Sequence, residues 1–391
     1  MTTTVKYFHS AMPGAPTLNG VAGSLIAVLD ACLVNGFGLK TADSVVVSGG
    51  IATATFSTGH SFEPDVIALV TGATPAGLNG EKRVLSTSTN TVTFDATGIT
   101  DQTASGTITV KLAPAGWEKP FSGTNLAAYR SQDVTGTRMF LRVDDTGTTT
   151  ARVVGYESMS DVNTGVRAFP LQAQVAGGGY WPKSNATNAT ARAWTVIADS
   201  RGWWLHSHTD PNFPGISGSV WGFGDYDSLK SGDPFACALQ CSTTNTSTSS
   251  TSDSYAAEYN GMGNVAGPFT ARSFTSLGGS VQLDHAQESY AINTGVSGSL
   301  SGGNVPTYPN GPNNGLFLSR KLLVERGVAL RGVSRGLLVT AQNCHARFNW
   351  RDKVPGQGQY AGRTLMAVKC GGPASTSSAG VVFFDITGPW G

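Results

Sequence analysis

Strict two-residue alternation over Thr137-Arg-Met-Phe-Leu-Arg-Val-Asp144 constrains this chain more than any other stretch. Met139, Leu141 and Val143 face one way and Arg138, Phe140 and Arg142 the other, the period of a strand and not of a helix. Asp145-Thr-Gly147 supplies turn chemistry, since Asp can bond its own backbone and Gly accepts positive φ. Ala151 to Met159 runs back. Further on, Ala193 to Asp199 and Trp203 to His208 flank Ser200-Arg-Gly202, the pattern of a hairpin with a short loop. The expectation is an antiparallel β core.

With 391 residues the chain exceeds one ordinary core, so two or three domains are expected. Only 13% of residues are charged and 50 are Gly, which excludes a highly charged disordered chain and favours short strands joined by tight turns. A net charge of +1 gives no bulk attraction to nucleic acid, and no direct nucleic-acid binding is expected. A surface so poor in Lys and Glu is expected to be covered by neighbouring subunits. Met1-Thr-Thr-Thr-Val-Lys-Tyr7 lacks the basic region and apolar run of a secretory signal, and no apolar window is long enough to predict membrane insertion. Cys32, Cys237, Cys241, Cys344 and Cys370 read as buried free thiols.

The pattern predicts a mainly β fold: an antiparallel, sandwich-like large domain with one N-terminal helix and an inserted small β-sandwich or barrel module. Residues 1–43 are the arm and helix, packing with the large domain. Residues 44–112 are the inserted module, and 113–391 the large antiparallel β domain with long polar loops. Residues 1–16, broken by Pro13, Gly14 and Pro16, read as an extended arm that either packs on a partner or is loose. Apolar positions Val21, Leu25, Val28, Leu29, Cys32 and Leu33 predict a helix over 21–34, ended by Asn35-Gly36.

In the module, Ser44 to Ser48 and Ile51 to Phe56 flank Gly49-Gly50, and four further short strands follow up to Lys111. Ser122 to Arg130 reads as a polar link. Residues 160–192 read as a surface excursion, Pro211 to Gly224 as a turn-dense loop, Cys241 to Ser254 as an exposed Ser/Thr loop and 255–315 as loop-rich. Closing strands are expected near Phe317, Leu322, Val328, Gly336 to Ala341, Arg363 to Lys369 and Gly380 to Ile386, with Phe383-Phe384 implying burial on both faces.

Several groups could carry chemistry. His206 and His208 share a strand face and, with Asp199 or Asp210, could hold a metal; the competing reading places them on the solvent side of the hairpin. Cys237 and Cys241 are a weaker pair. Asp144, Asp145 and Glu157 lie close enough for a glycosidase dyad, yet the turn accounts for Asp145, and Glu157 would pair with Arg138 or Arg152 across the strands. Gly215-Ile-Ser-Gly-Ser219 lacks the strand-to-helix setting of a nucleophile elbow, and Gly177-Gly-Gly179 and Gly371-Gly372 read as turns. Tyr180-Trp181, Trp203-Trp204 and Trp221 with Phe223 suit core or subunit packing, or a sugar platform. No residue is assigned a catalytic, cofactor-binding or metal role, and no cofactor is expected.

The stretches Pro13-Gly-Ala-Pro-Thr-Leu-Asn-Gly20, Val28-Leu-Asp-Ala-Cys-Leu-Val-Asn-Gly-Phe-Gly38, Gly72-Ala-Thr-Pro-Ala-Gly-Leu-Asn-Gly80 and Gly116-Trp-Glu-Lys-Pro-Phe-Ser-Gly-Thr-Asn125, leading to Met139-Phe-Leu-Arg-Val-Asp-Asp145, resemble structural proteins of tailed-phage virions. The likeness covers the first half well and the rest loosely. It implies a non-enzymatic component of the tail, baseplate or neck, a minor tail protein in type. Such a component is assembled in the host bacterial cytoplasm and present in several symmetric copies, with other virion proteins and copies of itself as partners. Two alternatives follow from the same setting: a module reading a host-surface glycan or receptor, and an enzyme degrading surface polysaccharide.

Overall fold

The computed structural model describes residues 4–60, 62–212, 218–245, 266–287, 308–325, 328–340, 342, 344–371 and 379–390. The chain is mainly β, with 49% of the described residues in strands against 6% helical. Every named strand pairing is antiparallel. Among the described residues no helix is long and apolar enough to cross a membrane.

A separate eight-stranded sheet runs from Phe37–Thr41 to Thr109–Leu112. Its first strand precedes the predicted module and pairs with its last, Phe37 opposite Leu112. The predicted hairpin Ser44–Ser48 and Ile51–Thr55 forms about Gly49 and Gly50, both at positive φ. Burial alternates along these strands, so one face is apolar and the other open, the half-buried pattern that makes them legible.

The larger sheet is built differently. Trp194–Ala198, Gly202–Ser207, Ser219–Asp225 and Cys237–Ser242 lie side by side, and every residue in all four is buried. Trp203 packs edge-on against Trp117 and Trp181, with ring centroids 6.4 and 5.3 Å away, whereas Trp204 packs against Phe384 at 6.0 Å. Adjacent side chains on one strand thus serve opposite layers of core. Phe383 and Phe384 are both fully buried, as expected for a strand covered on both faces.

The structure corrects several readings. Within the arm, Lys6–His9 is not loose but a buried strand of the large sheet, paired with Trp194–Ala198 in the register Phe8 to Val196. The helix is shorter, with α-helix only over Ser24–Leu29 before the coil widens to π-helix over Asp30–Asn35. Gly36 ends it at φ 69°, where a Cβ would lie 2.2 Å from the Leu112 carbonyl oxygen.

Ser122 to Arg130 is no link but part of the hairpin Trp117–Gly123 and Leu126–Ser131. The supposed excursion of 160–192 holds the strands Thr164–Phe169 and Gly179–Pro182, the latter with Trp181 fully buried. Pro211 to Gly224 contains the buried strand Ser219–Asp225, and Cys241 and Ser242 belong to a buried strand. Within 255–315, Ala266–Thr270 and Val281–Gln287 are strands; the proposed loop at Val296 to Gly303 lies outside the described residues.

Candidate functional site

The structure takes each chemically suggestive group and shows what it touches. Asp145 is fully buried and does not serve the turn; Asp144 does, its Oδ1 accepting from the Thr146 amide and hydroxyl at 3.2 and 2.7 Å. Asp145 Oδ2 instead accepts the Leu25 and Ile26 amides at 2.8 and 3.2 Å, and Oδ1 accepts from the equally buried Lys183 ammonium. Lys183 also donates to the Val21 carbonyl at 2.8 Å. Burial pushes the Asp145 carboxyl up and the Lys183 ammonium down, and each partner opposes the shift of the other. This pair locks the start of the helix to the core.

Glu157 pairs with neither Arg138 nor Arg152. Its two oxygens accept from Arg272 Nε and Nη2 at 2.6 and 2.7 Å, a bidentate bond between segments 115 residues apart. Arg138 turns to Glu118, and Arg152 donates to the Ala176 and Gly178 carbonyls while lying 3.6 Å over the Tyr180 ring. The three carboxylates therefore have three separate structural duties.

His206 and His208 are buried, not solvent-facing: His206 lies on a strand covered on both sides, and His208 follows the end of that strand. They do share a face, with ring centroids 4.4 Å apart, and Trp350 closes on His208 at 4.7 Å. His206 Nε2 meets the Lys369 carbonyl at 2.5 Å, and burial pushes this imidazole down to about 4. Asp199 sits at the hairpin turn, accepting the Arg201 and Gly202 amides at 2.8 Å and Arg335 Nη2 at 3.0 Å. Asp210 caps the Asn212 amide at 2.9 Å. Among the described residues no three His, Cys, Asp or Glu side chains gather as a metal site requires. Cys237 and Cys241 are buried free thiols whose ionisation burial opposes. Ser219 opens a buried strand, and 213–217 lie outside the described residues.

The polar constellation that sequence reasoning missed lies where the arm, the eight-stranded module and the C-terminal segment meet. His9, 1% exposed, has Nε2 3.0 Å from Glu63 Oε1, and its Nδ1 accepts from Arg351 Nη1 at 2.6 Å. With Nδ1 an acceptor, the ring hydrogen sits on Nε2, close to the carboxylate but without hydrogen-bond geometry to it. Tyr7 donates to the Pro64 carbonyl at 2.7 Å, and burial raises its phenol far above the ordinary range. Lys353 donates to Asp65 Oδ2 at 2.8 Å and the Pro64 carbonyl at 2.5 Å, with its ammonium 5.1 Å over the Tyr7 ring.

These groups border a cavity of about 240 Å³ lined by His9, Glu63, Trp350, Arg351, Lys353 and Met366. Burial there favours a protonated Glu63. Its contact with His9 and the charges of Arg351 and Lys353 outweigh that and hold the carboxyl below its usual value. Residues 9 and 351 are 342 positions apart, so no local pattern announces their meeting. Neither models of known protein families nor curated proteins match the chain.

Proposed function

We propose that the chain is a non-enzymatic structural component of a tailed-phage virion, assembled in several copies in the tail, baseplate or neck. Its resemblance to virion proteins points there. The single structural observation that supports it is a set of exposed large apolar residues on neighbouring segments of the large sheet. Leu229, Phe274, Leu277, Val328 and Leu330 are 63, 41, 71, 61 and 45% exposed. Backbone bonds draw them together: the Leu229 amide reaches the Arg331 carbonyl at 2.9 Å, the Phe274 amide reaches Glu325 Oε2 at 2.9 Å, and the Val328 amide reaches the Glu325 carbonyl at 2.9 Å. Lys230 ties the same corner to the Phe274 carbonyl at 2.9 Å.

Exposed large apolar side chains on adjoining segments are a mark of a protein contact, and water is released when a neighbouring copy covers them. The test is incorporation into particles, read by an antibody or tag on purified virions. The doubly substituted Leu229→Glu, Val328→Glu protein is expected to fold but to be missing from particles. Equal incorporation of this variant, or virions that never contain the wild-type chain, would overturn the reading.

A further inference from the structure

We propose that the junction cavity lined by His9, Glu63, Trp350, Arg351, Lys353 and Met366 binds one neutral sugar unit, a role independent of assembly. The lining charges nearly balance: Glu63 stands against Arg351, and Lys353 is already paired at 2.8 Å with Asp65, which lies outside the lining. A small anion gains from the cations what it loses to the carboxylates, and a small cation fares likewise. A neutral polyol escapes this cancellation. Each hydroxyl donates and accepts at once, so it can give its hydrogen to Glu63 while its oxygen accepts from Arg351 or Lys353, which are donors only. Bonds of that kind, with one charged partner, are the stronger class.

The remaining wall suits the same ligand. Trp350 and the buried Met366 complete it, with the Arg351 guanidinium 4.5 Å over the Trp350 ring, so that the lining is mainly polar, as hydroxyl groups require. About 240 Å³ lies just below the range of roughly 300–1,000 Å³ typical of pockets for drug-sized ligands, so a single ring is the appropriate size.

The backbone is shaped for the purpose. Asp65 and Arg351 both adopt left-handed conformations, φ 74° and 70°, which long or charged side chains rarely occupy. Each is held there by its own amide, Asp65 to the Val84 carbonyl at 2.9 Å and Arg351 to the Ala367 carbonyl at 2.8 Å. Of the two, Arg351 lines the cavity, and strain kept there is the kind of feature that accompanies ligand sites. A purely structural seam between arm, module and C-terminal segment would need the ion pairs but not the open volume between them.

Saturation-transfer NMR on the full chain decides the matter, with D-glucose, D-galactose and N-acetyl-D-glucosamine as probes and sodium acetate as the anionic control. Transfer to at least one sugar and none to acetate is expected. Glu63→Gln is isosteric at a partly exposed side chain and should melt like wild type while weakening that sugar roughly tenfold or more, as loss of a charged hydrogen-bond partner does. Arg351→Met should act alike. The proposal is overturned if no sugar shows transfer, if acetate binds as well as the sugars, or if folded Glu63→Gln binds unchanged. None of these results would bear on particle incorporation, which tests the assembly role separately.

Discussion

At the scale of single residues, adjacent carboxylates do unequal work. Asp144 caps a surface turn and Asp145, one position on, carries a buried charge pair. Asp145→Asn leaves the Lys183 ammonium buried without its counter-charge, and unfolding in urea is expected to show a loss of about 3–5 kcal/mol. Asp144→Asn should cost less than about 1 kcal/mol; equal effects would contradict this division. His206 adds a pH dependence. Its folded value, about 4, lies below the ordinary 6.5, so the unfolded chain binds the proton more readily. Its contribution is complete above pH 6.5, falls as the pH drops towards 4, and has no further slope below that, a total of about 3 kcal/mol. Denaturation series across this window should flatten in His206→Gln. The sequence showed that His206 and His208 share a face; it could not show which side of the strand is wet.

Among the elements, those marked by alternation, a clear turn or a long apolar run were readable, and those without such a mark were not. Ser44–Ser48, Ile51–Thr55 and Phe140–Asp144 carry alternating or turn-bounded signals and appear where expected. Ser219–Asp225 is rich in Gly and has no polar side to mark it, so its residues resembled a loop. The arm shows the same difficulty: four residues between prolines and hydroxyls hold too little pattern to predict that Lys6–His9 would edge the central sheet. Phe8 is 1% exposed and lies 5.8 Å from Phe37, which joins the arm to the module's first strand. Phe8→Ala is therefore expected to destabilise the chain by about 3–5 kcal/mol. Val134→Ala, at a 78% exposed position, should stay within about 0.5 kcal/mol by the same chemical denaturation. A small effect at Phe8 would mean that the arm contributes little to the fold.

For the whole molecule, the question is whether the module behaves as a separate unit. One apolar cluster runs through both sheets, taking in Val5, Phe8, Leu33, Phe37, Val70, Leu112, Trp203 and Trp390. Polar ties reinforce it: Lys6 with Glu81 at 2.7 Å, and Arg83 donating to the Thr387 carbonyl at 2.9 Å. A shared core makes unfolding of either part expose the other, so calorimetry is expected to record one cooperative transition. Two well-separated transitions would show that the eight-stranded sheet stands alone.

By itself the sequence determined the mainly β character, the antiparallel hairpins and the burial of the cysteines. These follow from side-chain period, turn residues and hydrophobicity, all local properties of the chain. Tertiary structure alone decided which polar groups were buried and with whom. Asp145 meets Lys183 and Glu157 meets Arg272 through strand order, and His9, Glu63 and Arg351 converge because an arm, a module and a C-terminal segment close on one another. Such partnerships depend on long-range packing, and residues hundreds of positions apart leave no periodicity by which a single sequence could reveal them.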